Sequence, residues 1–534
     1  MQPTRQYQSM SLRFHNQLSK QVEAFEPIHK GKVSLYTCGP TVYNYLTVGN
    51  WTAYVYWDTL VRLLEAHNYD VTRVMNITDV GHLVSDADDG EDKLEKGAKR
   101  DGTTAWEVAK HYTEDFLNGM TVLNLIAPTH MPKATEYIEQ QLALVRTLKD
   151  KGYTYQIDDG IYYDTAKFPT YGNFAQLDLD EQKAGARVEY NPQKRNASDF
   201  ALWKFTPTGE KRDMEWETPH DLLDMTRVTK SSETSAARES EGANSPIDSR
   251  REAVSEDFGD SASDTSKVMG FPGWHLECSA MAMTLLGETI DIHTGGIDHI
   301  PVHHTNEIAQ SEAASGVQFA NYWLHNNHLK VNGTKISKSL GNGYTLDDLA
   351  EKGYDPLDLR LFILQSHYRT EGNFTFENLT AAKNRRLNWR NVAALRHQIH
   401  DTLTTDDSVE TDSKTVSLYA ASKAMLEALS HDLNTAEAFA IIEEAFGEVL
   451  RSRLDDVHQH AFVQFLETID QLFGLKLIET TKDIADDQKR LIIERSRARE
   501  AKDYQKSDEI RVQLEKSGIT VRDTASGPVW EYIA

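Results

Sequence analysis

The strand-forming stretches of this sequence fall into two groups, on either side of a long intervening segment at residues 79–288. In the first group, a strand at 33–37 runs into a Cys-Gly-Pro turn, a helical pattern covers 50–69, and an alternating strand follows at 71–78. The second group is a strand at 289–296, followed by a helix. Parallel strands joined by a helix are typical of a nucleotide-binding α/β sheet. The sequence therefore predicts one α/β domain whose sheet is interrupted by an insertion.

The composition is that of a large acidic protein. With 534 residues the chain is too long for one compact core. Its 82 acidic residues outnumber 57 lysines and arginines, and the net charge of −25 argues against indiscriminate coating of nucleic acid. We find no apolar window of about 18 residues and no apolar signal at the N-terminus, and we expect neither a membrane span nor secretion. Cys38 and Cys278 are the only cysteines, which excludes a disulfide framework. A cytoplasmic enzyme or scaffold with several domains remains.

Three later segments differ from the α/β region in composition and in hydrophobic pattern. The segment at about 220–267 holds ten serines and many charges, and we interpret it as a disordered surface loop, with a small folded module as the alternative. From about residue 346, long amphipathic runs predict a helical bundle. The last stretch begins with a basic helix: ten basic and six acidic residues lie between 489 and 522. This charge indicates either a local nucleic-acid face or an ordinary charged helix surface.

Four residues have the chemistry of a metal site. His303 and Glu307 are four residues apart, so on a helix their side chains share one face. Cys278 follows a Pro-Gly-Trp turn and Cys38 follows the first strand, so each cysteine lies at the end of a sheet-forming segment. Thiolate, imidazole and carboxylate together suit zinc best. The alternative is that both cysteines are buried and inert.

Three short segments offer groups that suit a bound nucleotide. The loop KISKS carries Lys335 and Lys338, and lysine is a compact charge suited to polyphosphate oxygens. The segment Thr-Val-Gly-Asn at 47–50 opens the first helix, where glycine permits close approach and the helix N-terminus favours phosphate. The Gly-Gly pair at 295–296 forms another close-approach loop, and Asp298 is placed there to hold a ribose.

The order of these motifs closely resembles that of the cysteinyl-tRNA synthetases, a family of class I aminoacyl-tRNA synthetases. The motifs are, in order, CGPTVY, TVGN, NITD, GWHLECSAM, DIHTGGID, PVHHTNEIAQSEA and KISKSLGN. The resemblance runs from LRFHNQLSKQVEAFEP to GITVRDT and so covers nearly the whole chain. It implies a class I, Rossmann-like α/β catalytic domain at 1–345 with a connective insertion at about 120–200. A helical anticodon-binding bundle at 346–480 and a small C-terminal tRNA-binding unit at 481–534 would follow.

The resemblance also implies a reaction and its residues. Cysteine would react with ATP and Mg²⁺ to give cysteinyl-adenylate and diphosphate, and would then pass to the 3′ end of tRNA(Cys). One zinc ion per chain would select the substrate thiolate over the nearly isosteric hydroxyl of serine. We expect a monomer. By role, the implied residues are Cys38, Cys278, His303 and Glu307 for zinc; Gly39, Thr78, Trp274 and His293 for cysteine; Gly49, Asn50, Gly295, Asp298 and Lys338 for ATP; and Thr47, Gly49, Asn50, Lys335 and Lys338 for catalysis.

One motif departs from the family pattern. The family signature H-I-G-H reads T-V-G-N here, so both histidines are missing. Thr47 and Asn50 still offer a hydroxyl and an amide to phosphate, but neither carries a charge. The chain is then either a working variant or a paralogue with reduced or no activity. Because the four metal-ligand positions and KISKS are intact, we expect measurable aminoacylation.

Two other functions remain open at this point. One is a ligase that adenylates cysteine and delivers it to a small amine, like the family's mycothiol-pathway relatives, which lack the full tRNA-binding tail. The other is a regulator that binds tRNA or zinc without catalysis, which only the missing histidines suggest. In the bundle, four arginines either touch the tRNA backbone or form an ordinary solvated helix face: Arg385, Arg386, Arg390 and Arg396.

Overall fold

The computed structural model of the chain describes most of its residues. The described ranges are 11–81, 92–177, 191–207, 209–224, 267–337, 340–406 and 413–533. Most of the predicted serine-rich loop, residues 225–266, and Lys338 of the KISKS loop lie outside them.

The regular elements alternate between strand and helix up to about residue 345 and are mainly helical afterwards. The strands are β1 Arg13–Asn16, β2 Gln21–Ala24, β3 Lys32–Thr37, β4 Asp70–Met75, β5 Thr154–Ile157, β6 Gly160–Tyr163, β7 Phe200–Phe205, β8 Trp216–Glu217, β9 Met269–Pro272, β10 Ile290–Gly296, β11 Ala320–Asn326, β12 Leu329–Val331, β13 Thr334–Lys335, β14 Gly372–Phe374, β15 Ile519–Thr524 and β16 Gly527–Tyr532. The α-helices are α1 Val48–Ala66, α2 Lys93–Asp101, α3 Ala105–Val122, α4 Ile138–Asp150, α5 Trp274–Leu286, α6 Thr305–Ser315, α7 Leu346–Glu351, α8 Pro356–Leu364, α9 Phe376–Ala393, α10 Ser413–Ser430, α11 Thr435–Arg451, α12 Gln459–Phe473, α13 Leu477–Thr480, α14 Asp486–Glu500 and α15 Tyr504–Lys516.

The central sheet is parallel and draws its strands from both predicted groups. Its order is β11-β10-β3-β4, with Leu35 opposite Ile292 and Val33 opposite Val71. Both faces of these strands are covered, and apolar residues such as Leu35 and Ile292 are fully buried. The predicted α/β sheet with an interruption is therefore confirmed. Because the strands are parallel, their carboxyl ends meet at one edge, where β3 ends before Cys38 and β10 ends at Gly296.

Helix α1 connects β3 to β4 and begins two residues before the predicted start. Thr47 is its N-cap, and the Asn50 side chain reaches back to the Thr47 backbone N–H. The helix ends at Ala66 rather than 69, because Asn68 adopts a left-handed conformation that turns the chain into β4. On its buried side, Trp51 stacks on Phe116 of α3 at a centroid distance of 5.5 Å. This packing fixes the helix start at the carboxyl edge of the sheet.

The insertion carries its own antiparallel sheet, with the order β5-β6-β7-β9-β8. Strands β8 and β9 lie beyond residue 200 and complete this sheet from either side of the serine-rich segment. The first residues of that segment, 220–224, form a turn in which Leu222 is buried. A core of apolar residues joins the insertion sheet to α4, α5 and α6.

Helices α8 to α12 build the region that follows, and α14 and α15 with the β15–β16 hairpin form a small C-terminal unit. Trp389 contacts Phe439 and Phe446 in the core of the bundle. The C-terminal unit has a separate core that includes Ile510 and Trp530. Within the described ranges, no helix is long and apolar enough to cross a membrane.

A buried ion pair joins α1 to the helical region. Arg360 of α8 and Asp58 of α1 are both fully buried and in direct contact, and Arg62 Nε lies 2.7 Å from the same carboxylate. Arg360 also donates to the carbonyl oxygens of Leu123 and Phe473, at the ends of α3 and α12. Four segments of the chain therefore meet at one guanidinium.

The four bundle arginines all make hydrogen bonds within the protein, although only Arg386 is buried and the other three are half-buried. Arg386 is buried, with Nε 2.7 Å from Asp358 Oδ1. The others donate to internal acceptors: Arg385 to Gln365 Oε1, Arg390 to the Thr480 carbonyl, and Arg396 to the Thr481 carbonyl. The sequence shows that these residues are charged, but it does not show which acceptors of neighbouring elements lie within hydrogen-bond distance of them.

Candidate functional site

The four predicted metal ligands come together at the carboxyl edge of the central sheet. Cys38 follows β3, Cys278 lies in α5, and His303 and Glu307 lie at the start of α6. One ligand atom from each of the four residues lies within 4.8 Å of the others. Cys278, His303 and Glu307 are buried and Cys38 is partly exposed. The structure therefore brings the four predicted ligands into one cluster.

A π-helical turn at Ile300–His304 leads into α6 and sets the last two ligands side by side. His303 Nε2 lies 2.8 Å from Glu307 Oε1, as the four-residue spacing predicted. On the opposite side of the His303 ring, Nδ1 lies 2.9 Å from Nδ1 of His275. A buried carboxylate and two buried imidazoles are thus held in fixed positions.

The ionisation of this cluster is strongly coupled. Burial raises the pKa of the Cys38 thiol well above its ordinary value, whereas the hydrogen bond with Cys38 lowers the pKa of Cys278. Burial disfavours charge on Glu307, but His293 and His303 outweigh it and hold the pKa of Glu307 below its usual range. Burial lowers the pKa of His303, while Glu307 and Cys278 outweigh that effect and raise it to about 10.

The donor set fits a divalent cation. Two thiol sulfurs, an imidazole nitrogen and a carboxylate oxygen lie within 4.8 Å of one another, and these are donor types that bind divalent transition metals. Metal binding requires deprotonated ligands, and a cation would favour the thiolate that burial alone disfavours at Cys38. The buried cluster could therefore hold a metal ion.

His304 and His325 also lie beside the cluster, and the sequence analysis did not single them out. His304 Nε2 lies 3.3 Å from Cys38 Sγ, and its Nδ1 lies 2.7 Å from Nε2 of His325. Cys38, His293, His304 and Glu307 form a second possible ligand set that shares two residues with the first. The signal in the sequence was the density of histidines in DHIPVHH, but a one-dimensional pattern does not show which of two adjacent histidines faces the cysteines.

The residues predicted to contact cysteine line the same region. The Trp274 ring lies 4.5 Å from the His303 ring, and His293 Nε2 lies 2.8 Å from Glu307 Oε2. Thr78 Oγ1 donates to Glu277 Oε2 at 2.8 Å. The backbone N–H of Gly39 donates to Asn76 Oδ1 at 2.8 Å. Trp274 and His293 therefore contact the ligand cluster directly, whereas Thr78 and the Gly39 backbone make hydrogen bonds to Glu277 and Asn76.

The T-V-G-N segment and the KISKS segment lie against each other. A Cβ atom on Gly49 would lie 2.6 Å from Ile336 Cδ1, so a larger residue at position 49 would require the Ile336 side chain to move. The Val48 N–H donates to the carbonyl of Tyr344 at 2.8 Å. Asn50 Oδ1 accepts both the backbone N–H and the hydroxyl of Thr47, each at 2.9 Å. The Thr47 hydroxyl proton is therefore used within the cap, and the Asn50 NH₂ group is left as the polar donor of this pair.

The Gly-Gly pair at the end of β10 is packed closely against side chains of the chain itself. A Cβ atom on Gly295 would lie 2.6 Å from His304 Cε1, and one on Gly296 would lie 2.3 Å from Asp298 Oδ1. The side chains of His304 and Asp298 therefore lie where a side chain on Gly295 or Gly296 would be. Asp298 is exposed, and so is Lys335 of β13. Lys338 lies outside the described residues.

Comparisons with known families cover both ends of the chain. Residues 24–222 and 253–384 match the model of the tRNA synthetases class I (C) catalytic domain. Residues 481–530 match the cysteinyl-tRNA ligase anticodon binding domain, so that name falls on the C-terminal unit rather than on the bundle.

Curated relatives match over nearly the full length. A cysteine–tRNA ligase from Treponema denticola is 38% identical over 98% of this chain and 100% of its own. Cysteine–tRNA ligase 1 from Burkholderia lata is 39% identical over 97% of this chain and 96% of its own.

Solved structures of distant sequence share the fold. Methionyl-tRNA synthetase from Mycobacterium tuberculosis, bound by methionyl-adenylate, has a TM-score of 0.53 at 13% identity and covers 84% of this chain and 92% of that chain. LeuRS from Agrobacterium radiobacter, in a ternary complex with tRNA and LeuAMS, has a TM-score of 0.52 at 14% identity, with 85% of each chain covered. At these identities the likeness concerns the fold alone.

Proposed function

The chain belongs to the cysteine–tRNA ligases, a family of class I aminoacyl-tRNA synthetases, and from that premise we propose how its residues divide the reaction. As an enzyme of this family it charges tRNA(Cys) with cysteine using ATP. The observation that carries the cysteine specificity is the buried Cys38, Cys278, His303 and Glu307 cluster at the carboxyl edge of the sheet. Transfer to a small amine is less favoured, because the C-terminal unit matches an anticodon-binding domain.

In this proposal the cluster binds one zinc ion. Zinc bound there supplies a soft Lewis acid, which holds a thiolate far better than the neutral hydroxyl of serine. Glu307 is fixed by His293 through Oε2, and His303 is fixed by His275 through Nδ1, so both ligands are oriented from outside the cluster. Trp274, Gly39 and Thr78 would contact the rest of the bound cysteine. Shape alone separates cysteine poorly from serine, so the donor set rather than the cavity sets the specificity.

ATP would lie across the start of α1, with its phosphates between T-V-G-N and KISKS. The Asn50 amide donates to a phosphate oxygen, Gly49 permits close approach, and the lysines 335 and 338 neutralise the developing charge. Gly295 and Asp298 would bind the ribose of ATP. The cysteine carboxylate oxygen attacks the α-phosphorus, the bond to the bridging oxygen breaks, and diphosphate leaves with Mg²⁺. The terminal ribose hydroxyl of tRNA then attacks the carbonyl carbon and releases AMP.

The tRNA would be bound mainly by the helical region and the C-terminal unit. Exposed side chains of α14 and α15 suit this role, because Arg497 offers charge and Tyr504 is 59% exposed and free to stack on an unpaired base. We further propose that the protein acts as a cytoplasmic monomer, with the catalytic domain at 1–345, the bundle at 346–480 and the C-terminal unit at 481–534.

The experiment that tests this function is charging of total tRNA with labelled cysteine and, separately, with labelled serine. We expect charging by cysteine alone and about one zinc per chain by metal analysis. Cys278→Ser should lose zinc and charging together, whereas Thr284→Ala, exposed on the same helix α5, should keep both. Zinc-loaded protein that binds tRNA but charges no cysteine would show that T-V-G-N has abolished the chemistry. Charging of serine at a comparable rate would refute metal-based selection.

A further inference from the structure

Tyr45 is an exposed aromatic residue in the loop that joins the two parts of the proposed site. This loop runs from Cys38, a member of the ligand cluster, to Thr47, the N-cap of α1. Tyr45 is 40% exposed, whereas Val42 and Leu46 of the same loop are buried. Because Tyr45 precedes Thr47 by two residues, their Cα atoms are at most about 7 Å apart. Tyr45 therefore lies at the rim of the segment proposed to bind the phosphates of ATP.

The side chain of Tyr45 is held in place by helix α3. Its hydroxyl lies 3.0 Å from Nε2 of His111, and its ring centroid lies 5.8 Å from that of His111 and 5.0 Å from that of Tyr112. Tyr112 is fixed in turn, because its hydroxyl accepts a hydrogen bond from Arg100 Nη2 at 2.8 Å. A ring that is already ordered loses little conformational entropy when a partner packs against it.

The helices beside this ring carry exposed lysines. Lys96 lies on α2, and Lys110 lies on α3, immediately before His111. Acidic residues share these helices, and one of them, Glu107, is engaged at the N-terminus of α3, where it accepts the Thr104 N–H at 3.1 Å. An exposed aromatic ring with lysines nearby combines the two features that bind single-stranded nucleic acid, which are stacking and positive charge.

The proposed reaction brings a single-stranded partner to this rim. The terminal ribose hydroxyl of tRNA must reach the carbonyl carbon of the adenylate, so the unpaired 3′ nucleotides have to pass the edge of the site. Unpaired bases are bound by stacking on aromatic side chains. Holding the terminal ribose in one position also favours its attack, because the loss of its freedom is met on binding and not in the transition state.

We propose that Tyr45 stacks against an unpaired base at the 3′ end of tRNA(Cys) and thereby positions the terminal ribose hydroxyl for transfer. Lys110 would neutralise a phosphate next to that base. This inference rests on the proposed function, since it takes the start of α1 as the place where the adenylate is made. It assigns Tyr45 to the transfer step and gives it no part in adenylation.

The test compares two forms of tRNA(Cys) that differ only at the 3′ end. Fluorescence anisotropy at one fixed salt concentration would measure the affinity for the intact transcript and for a transcript without its unpaired 3′ nucleotides. In the wild type, the intact form should bind more tightly. Tyr45→Ala should weaken binding of the intact form about fivefold to a hundredfold, the loss expected for one stacked base, and should leave the shortened form unchanged. Unchanged binding of the shortened form also shows that the variant is folded.

The two half-reactions give a second readout. In Tyr45→Ala, cysteine-dependent ATP–diphosphate exchange without tRNA should keep the wild-type kcat and KM for ATP. The kcat/KM for tRNA in aminoacylation should fall by about the same factor as the affinity for intact tRNA. A raised KM for ATP in the exchange reaction would show that the ring contacts the nucleotide and would overturn the assignment to tRNA.

Two further variants complete the test. Tyr45→Phe keeps the ring and removes the hydroxyl next to His111, so it should keep most of the affinity for intact tRNA. Leu117→Ala shortens a 41% exposed side chain on the same helix α3 and should change neither affinity. Equal weakening of both tRNA forms by Tyr45→Ala, or no change in either, would overturn the role of Tyr45 while leaving the proposed function intact. A wild type that binds neither form would overturn the proposed function and this inference with it.

Discussion

Asn50 shows at the scale of a single residue how the variant signature is built into the fold. Its amide oxygen accepts two hydrogen bonds from Thr47, so the pair closes the start of α1 without a charged group. A histidine signature would present imidazoles to phosphate, whereas this pair presents one amide NH₂. The amide oxygen of Asn50 therefore stabilises the start of α1, and its NH₂ group is proposed to bind a phosphate oxygen of ATP.

Substitution of Asn50 should separate these two functions. Asn50→Asp keeps both acceptor positions, so we expect the melting temperature to stay close to that of the wild type. The new negative charge opposes the phosphates, so the KM for ATP in ATP–diphosphate exchange should rise about tenfold or more. Asn50→Ala, as the comparison, removes the acceptor of the Thr47 N–H and should destabilise the protein by about 0.5–1.5 kcal/mol, the usual loss for one hydrogen bond. An aspartate variant with wild-type exchange kinetics would place the phosphates away from α1.

The Asp58–Arg360 pair is the main example at the scale of secondary-structure elements. It joins α1 to α8, and through the Arg360 guanidinium it also reaches the ends of α3 and α12. Breaking one partner of a buried pair is costly, because the remaining charge stays desolvated. Arg360→Met should lower the free energy of unfolding by roughly 3 kcal/mol, the lower end of the usual range, because Arg62 still contacts Asp58. Urea denaturation would measure this loss, and Asp58→Asn combined with Arg360→Met should recover part of it.

The same pair gives the stability a defined pH dependence. Burial raises the pKa of Asp58, but Arg360 and Arg62 outweigh burial and place it below the ordinary value. A carboxyl group with a lowered pKa stabilises the folded state above the unfolded pKa of about 3.9, and this contribution is lost as the pH falls through the folded pKa. The stability difference between the wild type and Asp58→Asn should therefore shrink below about pH 4. A constant difference down to pH 2 would show that Asp58 is not ionised in the native protein.

The elements that could be predicted are those whose signal is local. The strands that end at Cys38 and Gly296, and the helix shared by His303 and Glu307, follow from periodicity and spacing. The contact of His304 with Cys38 could not be predicted, because it depends on the π-helical turn that rotates the start of α6. The contacts of the arginines of α9 could not be predicted either, because their partners lie on other elements. Arg386, for example, donates to Asp358 of α8.

At the scale of the whole molecule, the serine-rich segment can be tested by its removal. Replacing residues 226–265 with a short Gly-Ser linker should leave aminoacylation within about twofold of the wild type, because closure entropy depends only weakly on loop length. A longer deletion, 221–266, also removes Leu222 and Leu223, which are 2% and 7% exposed. It should lower the melting temperature, since each buried leucine contributes about 1.5–3 kcal/mol. Loss of charging in the shorter deletion would assign the segment a role in activity.

The interrupted sheet also has a consequence for how the protein is made. Cys38 leaves the ribosome well before Cys278, His303 and Glu307, because the whole insertion is synthesised between them. At about 5–20 residues per second, this delay lasts roughly 15–50 s. During this interval β3 lacks its neighbour β10, and Cys38 lacks the other three residues of the proposed metal site. The four-residue cluster can therefore assemble only once translation has passed residue 307, so a chain terminated before that residue cannot form the proposed metal site.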